Sequence, residues 1–129
     1  MLSFERAQEE LTVIADAIPY EIYRELNGGI ILLPEVKMHP ENVAKDLYIL
    51  GQYNYDPNGF GRYITIYYGS FCRVFGYLSD DMFVEEMKNT LYHELTHHLE
   101  HLAGDNSLEV QDEIDMARYK HGHENQFIL

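Results

Sequence analysis

The sequence predicts an α+β domain in which a short mixed or antiparallel sheet lies beside one long helix, with further helices at both ends. Three observations carry this expectation. Apolar residues recur at helical spacing near the N-terminus. Between Ile30 and Phe71 the period falls towards two, and β-branched and aromatic residues concentrate there. After Ser79 a helical period returns and runs without a break to Gly104. At 129 residues the chain is read as one domain, 1–129, long enough to bury a single core.

The elements follow in order. Over 3–17, Phe4, Ala7, Leu11, Ile14 and Ala15 share a helical face. Ser3 stands as N-cap, with Arg6 where a capping box would place Glu. Pro19 ends or redirects that helix. "PYEIYRELNGG" reads as a short second helix stopped by Asn27-Gly28-Gly29. "IILLPEV" is a strand that Pro34 confines to an edge or a short piece. "DLYILGQYNY" is a second strand, broken by the turn signal "DPNGFG", and "RYITIYYGSF" is a third. Ser79 or Asp80 caps the last helix, and Asp80, Asp81, Glu85 and Glu86 suit its positive N-terminal end. Val84, Met87, Leu91, Leu95 and Leu102 form its apolar stripe, and Gly104 stops it.

Composition excludes several roles. The net charge of −13, from 9 Lys+Arg against 22 Asp+Glu, disfavours nucleic acid and anionic membrane surfaces, which repel an acidic protein. Cys72 is the only cysteine, so no intramolecular disulfide forms. The N-terminus lacks a basic start followed by an apolar core, and no apolar run approaches the ~20 residues that span a bilayer. A soluble, cytoplasmic protein is expected, and the oligomeric state is left open.

The chemistry concentrates in "YHELTHHLEHLAGD", which holds four of the seven histidines. At ~100° per residue, His93 and His97 lie roughly 40° apart, one turn from each other and nearly opposite the apolar stripe. Two neutral imidazoles so placed occupy adjacent corners of a tetrahedral Zn²⁺. His93-Glu94-Leu95-Thr96-His97 is therefore the H-E-x-x-H arrangement of zinc peptidases. Glu94 is poorly placed as a third ligand and well placed as general base on a water that the metal activates. His98 points nearer the stripe and reads as a packing or supporting histidine. His101 lies ~12 Å along the helix from His93, too far to share one ion with both others.

Together with "LGQY", the strand "RYITIYYGS" and the helix "VEEMKNT", the stretch "LYHELTHHLEHLAGD" resembles the small bacterial zincin-like metallopeptidase family, the predicted zinc proteases with a minimal metalloprotease-like domain. The resemblance runs from about Phe4 to about Asp115. It implies a zincin-like fold, with a short sheet beside the active-site helix, His93 and His97 as zinc ligands and Glu94 as base. The sequence departs from the family pattern. Glu100 stands where the family tends to place a glycine, and Ala103 where it tends to place an acidic residue or serine. The glycine arrives at Gly104, about one helical turn late, and the counterpart of the acidic position becomes Ser107.

The third ligand must then come from the chain returning after "GDNS". An extended return points to Glu109. A helix starting at Asn106 or Ser107 brings Asp112 and Glu113 level with His97 and leaves Glu109 in a capping box, "NSLE". Asp105 sits at the turn and reads as a cap or turn residue. Ten of the seventeen aromatics fall between Tyr48 and Tyr77, chiefly as core and cross-strand pairs. If the strand "ITIYYGS" is an edge beside the helix, it would bind an extended peptide by strand addition, and a tyrosine there could serve a developing oxyanion. Cys72 reads as buried, and His121 and His123 as tail residues open to adventitious metal.

The expected function is a zinc-dependent peptidase acting on a peptide or protein, with one Zn²⁺ per chain. Two readings from other classes stand beside it. One is a catalytically silent metal-binding module that recognises a peptide or partner. The other is a metal-free interaction protein whose histidines are surface residues. Metal stoichiometry separates the last from the first two, and turnover dependent on Glu94 separates the enzyme from the silent module.

Overall fold

The computed structural model describes residues 2–41 and 47–104. Ser3 opens the first helix, α1 (Phe4–Asp16), where its hydroxyl accepts the Arg6 N–H at 3.2 Å. Ala7, Leu11 and Ile14 are its buried face, as their spacing predicts. The expected second helix is only one 3₁₀ turn, Tyr20–Tyr23. It stops at Arg24, whose ψ of 128° leaves the helical region, and Glu25 follows in the left-handed conformation at φ +64°.

A three-stranded sheet follows, made of β1 (Gly29–Leu33), β4 (Gly51–Asp56) and β5 (Gly61–Tyr67) in the order β1-β5-β4. β5 runs parallel to β1 and antiparallel to β4, so the sheet is mixed and the fold is α+β. β2 (Lys37–Met38) and β3 (Tyr48–Ile49) form a separate two-residue ladder. Pro34 sits just past β1, an edge strand, where a missing donor costs least. "DLYILGQYNY" gives two strands instead of one. Leu50, fully buried, separates β3 from β4 and accepts the Tyr67 N–H at 2.8 Å. The "DPNGFG" turn closes the β4–β5 hairpin, with Asp56 accepting the backbone N–H groups of Asn58 and Phe60.

Two expectations about "RYITIYYGSF" are corrected. The strand ends at Tyr67, and Tyr68–Phe75 is a helix, α2. Gly69 lets the chain leaving β1 cross close over the first turn of this helix, since a Cβ there would lie 2.6 Å from the Glu35 backbone. Ser70 ties that crossing down, accepting the Lys37 N–H and donating to the Lys37 carbonyl. The strand is also central and not an edge. Both sides of β5 are paired, so it offers no edge for peptide addition. Among the described residues the sheet's edges belong to β1 and β4.

The long helix, α3 (Asp80–Ala103), begins where its cap predicts, with the Ser79 hydroxyl accepting the Met82 N–H. It ends at Gly104 in the left-handed conformation, φ +77°. Phe83, Met87, Leu91 and Leu95 join Leu11, Ile14, Leu32, Ile64, Ile66 and Phe71 in the core. The helix is rotated relative to the expected stripe. Val84 and Leu102 are only half-buried, while Thr90, Glu94, His97 and His98 are buried. The centre of the buried arc lies roughly 60° from the apolar stripe, towards the polar residues. The C-terminal helix expected beyond Gly104 lies outside the described residues.

Candidate metal centre

The rotation of α3 has a local cause. β4 packs directly on its middle turns, and the contact is made by Gly51. A Cβ at Gly51 would stand 2.9 Å from the Thr90 methyl and 3.3 Å from both Glu94 Cγ and Ile66 Cδ1. Only a residue without a side chain lets the strand approach so closely. The strand thereby covers Glu94, which keeps 2 % of its surface exposed although it is ionisable.

His93 and His97 converge as their spacing predicts. Their ring centroids are 4.9 Å apart and the rings nearly perpendicular, at 86°. His93 is half-buried and His97 buried. One ligand atom from each of His93, Glu94 and His97 falls within 4.8 Å of the other two. His93 Nε2 and Glu94 Oε2 are shielded from solvent. This donor set fits a divalent cation of the zinc type. The two imidazole nitrogens are donors that zinc takes, the 4.8 Å envelope encloses the roughly 3.3 Å edge of a tetrahedral site, and the Glu94 carboxylate stands beside them within reach of a water on such an ion. A cation held there would also offset the cost of burying the carboxylate.

The neighbouring histidines divide as expected. His98 is wholly buried and both its ring nitrogens are engaged. Nε2 lies 2.7 Å from the Arg24 carbonyl, which only accepts, so Nε2 donates. In the neutral ring Nδ1 then accepts from the Tyr53 hydroxyl, 2.6 Å away. His98 therefore ties α3 to β4 and to the loop ahead of β1. His101 is exposed, and its ring lies 6.4 Å from that of Tyr53.

The expected third ligand, Glu109, and its alternatives Asp112, Glu113 and Asp105, lie outside the described residues, as do His121 and His123. Gly51 and Tyr53 are contributors that sequence reasoning did not assign. Both sit in "LGQYNY", at alternate positions of one strand, and so share the face turned to α3.

Among solved structures the chain is similar to a conserved hypothetical protein from Thermo thermophilus. The two are 34 % identical over 79 % of this chain and 98 % of the other, with a TM-score of 0.66. No protein-family model matches the chain, and no curated protein matches it significantly.

Proposed function

The chain belongs to the same family as that conserved hypothetical protein, whose name assigns no activity, and from this chain's own residues we propose a zinc-dependent peptidase of the zincin-like kind. The observation that carries the proposal is the convergence of His93, Glu94 and His97 on one small, largely buried volume. His93 and His97 would hold the ion, with a carboxylate from the segment after Gly104. Glu109 stands first for that position, then Asp112, Glu113 and Asp105. When bound, Zn²⁺ supplies positive charge that polarises the scissile carbonyl and lowers the pKa of a coordinated water towards ~7.

The chain's own residues do the rest. Glu94 takes the proton of the attacking water on its carboxylate and passes it to the leaving nitrogen. Gly51 packs over its side chain, which keeps 2 % of its surface exposed. The substrate is a peptide or protein segment. The sheet edge that borders α3 belongs to β4, and an extended substrate would lie along it. Among the described residues no helix is long and apolar enough to cross a membrane, and the site is proposed to work in the cytoplasm.

Metal analysis with two classes of variant tests this. The purified protein should carry about one Zn²⁺ per chain, and His93→Ala or His97→Ala should abolish tight binding while leaving the helix largely intact. Stoichiometric zinc retained in both variants would sink the site. Glu94→Gln should keep the metal and lose at least ~10²-fold in peptide hydrolysis. An unchanged rate would show that the hydrolysis does not use Glu94. Full metal loading without hydrolysis of any peptide would favour the silent binding module.

A further inference from the structure

A polar cavity of about 290 Å³ lies one helical turn past His97, walled by Glu25, Asn27, Tyr55, Gly61, Arg62 and His101. Three separate segments build it: the loop ahead of β1, the end of the β4–β5 hairpin, and the last turn of α3. Two features of its wall are unusual. The first is Arg62. It faces Tyr55 across the ladder, and its guanidinium sits 4.1 Å from the Tyr55 ring centroid and 5.6 Å from that of Tyr53. In a chain of net charge −13, none of the described carboxylates forms an ion pair with it. A guanidinium stacked on tyrosine faces keeps its planar fork of N–H donors at the ring edge, pre-oriented for a carboxylate.

The second feature is Glu25, the one residue other than glycine with positive φ among the described residues. Strain of this kind persists where the surroundings hold it in place, and it gathers at ligand sites. The loop is held from several sides. His98 Nε2 donates to the Arg24 carbonyl, the Leu26 N–H to Tyr23, and the Gly28 N–H to the carbonyl of Arg62 itself. The loop is therefore fixed to the residue whose guanidinium faces the cavity.

We propose that this cavity binds a carboxylate carried by a peptide, either a C-terminus or an acidic side chain. Arg62 is the anchor and the Asn27 amide a second donor. Glu25 lies in the same wall, where its negative charge disfavours a doubly charged phosphate and its oxygens can accept a peptide N–H. The cavity is built independently of the His93–His97 pair, so the proposal does not rest on the peptidase reading.

Nitrogen-15 NMR titration of the full chain tests it, with N-acetyl-diglycine supplying a C-terminus and N-acetyl-glutamate amide a side chain. At least one should shift the Arg62 Nε–H and Asn27 amide signals saturably, and the one that does identifies the source of the carboxylate. N-acetyl-diglycine amide should not. Arg62→Gln should weaken binding at least ~10-fold, and Arg62→Lys, which keeps the charge and loses the fork, should fall between. The same affinity is expected in His93→Ala/His97→Ala protein. Equal binding of the amide, unchanged affinity in both Arg62 variants, tighter binding of inorganic phosphate, or dependence on the two histidines would each overturn the assignment.

Discussion

The two halves of α3 are buried for different reasons. From Phe83 to Leu91 the helix presents apolar side chains to α1, α2 and the sheet, and burial there stabilises the fold directly. From Thr90 to His98 the same helix buries a threonine, a glutamate and two histidines. Burying such groups carries a desolvation cost that their polar contacts must offset, so this half contributes less to stability than the first. The contrast places structure and chemistry on one rigid rod. Turns anchored by Phe83 and Met87 lead directly into the turns that carry His93, Glu94 and His97.

Variants in each half should separate the two roles. The largest effect is expected from Phe83→Ala, which empties a fully buried site lined by Phe71 and Tyr68. Such a truncation costs ~3–5 kcal/mol. Denaturant unfolding should show the full loss, while the folded fraction at low temperature still binds zinc. Glu94→Gln should show the reverse, with the ~10²-fold rate loss expected of it and little change in unfolding free energy. If Glu94→Gln destabilises the fold as strongly as Phe83→Ala, the division between the halves is wrong.

Gly51→Ala probes the boundary. Its methyl would press on Thr90, Glu94 and Ile66 at once, so overpacking of ~1–3 kcal/mol is expected. The nearest clash is with the Thr90 methyl. Adding Thr90→Ser removes that methyl and should recover part of the loss, giving a measurable coupling energy in a double-mutant cycle. Strict additivity would mean that the strand does not press on the helix at this point.

What the sequence disclosed follows the range over which each signal acts. The limits of α3 rest on Ser79 and Gly104, and its histidine pair on a four-residue spacing, so all were legible from local pattern. The switch from β5 to α2 was not. Tyr67 and Tyr68 continue a β-favouring run, and the segment packed against the first turn of α2, Pro34 and Glu35 against Gly69, lies more than thirty positions earlier. The rotation of α3 was hidden for a similar reason. Periodicity counts apolar residues, while the buried arc was set by a glycine on another strand. The Arg62 cavity draws on three distant segments and left no trace in any window of the sequence.

The smallest expected effect concerns the link between the two halves' surroundings. Tyr53 donates to His98 Nδ1, and His98 donates to the Arg24 carbonyl, so one buried ring connects β4, α3 and the loop of the cavity. Tyr53→Phe keeps the ring packed against His98, whose centroid is 5.3 Å away, and removes only the hydroxyl. Nδ1 then loses its donor in a site closed to water. A loss of ~1 kcal/mol is expected, the usual net worth of one neutral hydrogen bond. Zinc content should not change, because neither residue is proposed as a ligand. The informative reading is local. Hydrogen exchange should rise at Arg24–Leu26, whose anchoring carbonyl is held by His98, and stay unchanged across Phe83–Leu91. Equal exchange increases in both regions would show that Tyr53 supports the fold as a whole and not the joint between strand, helix and loop.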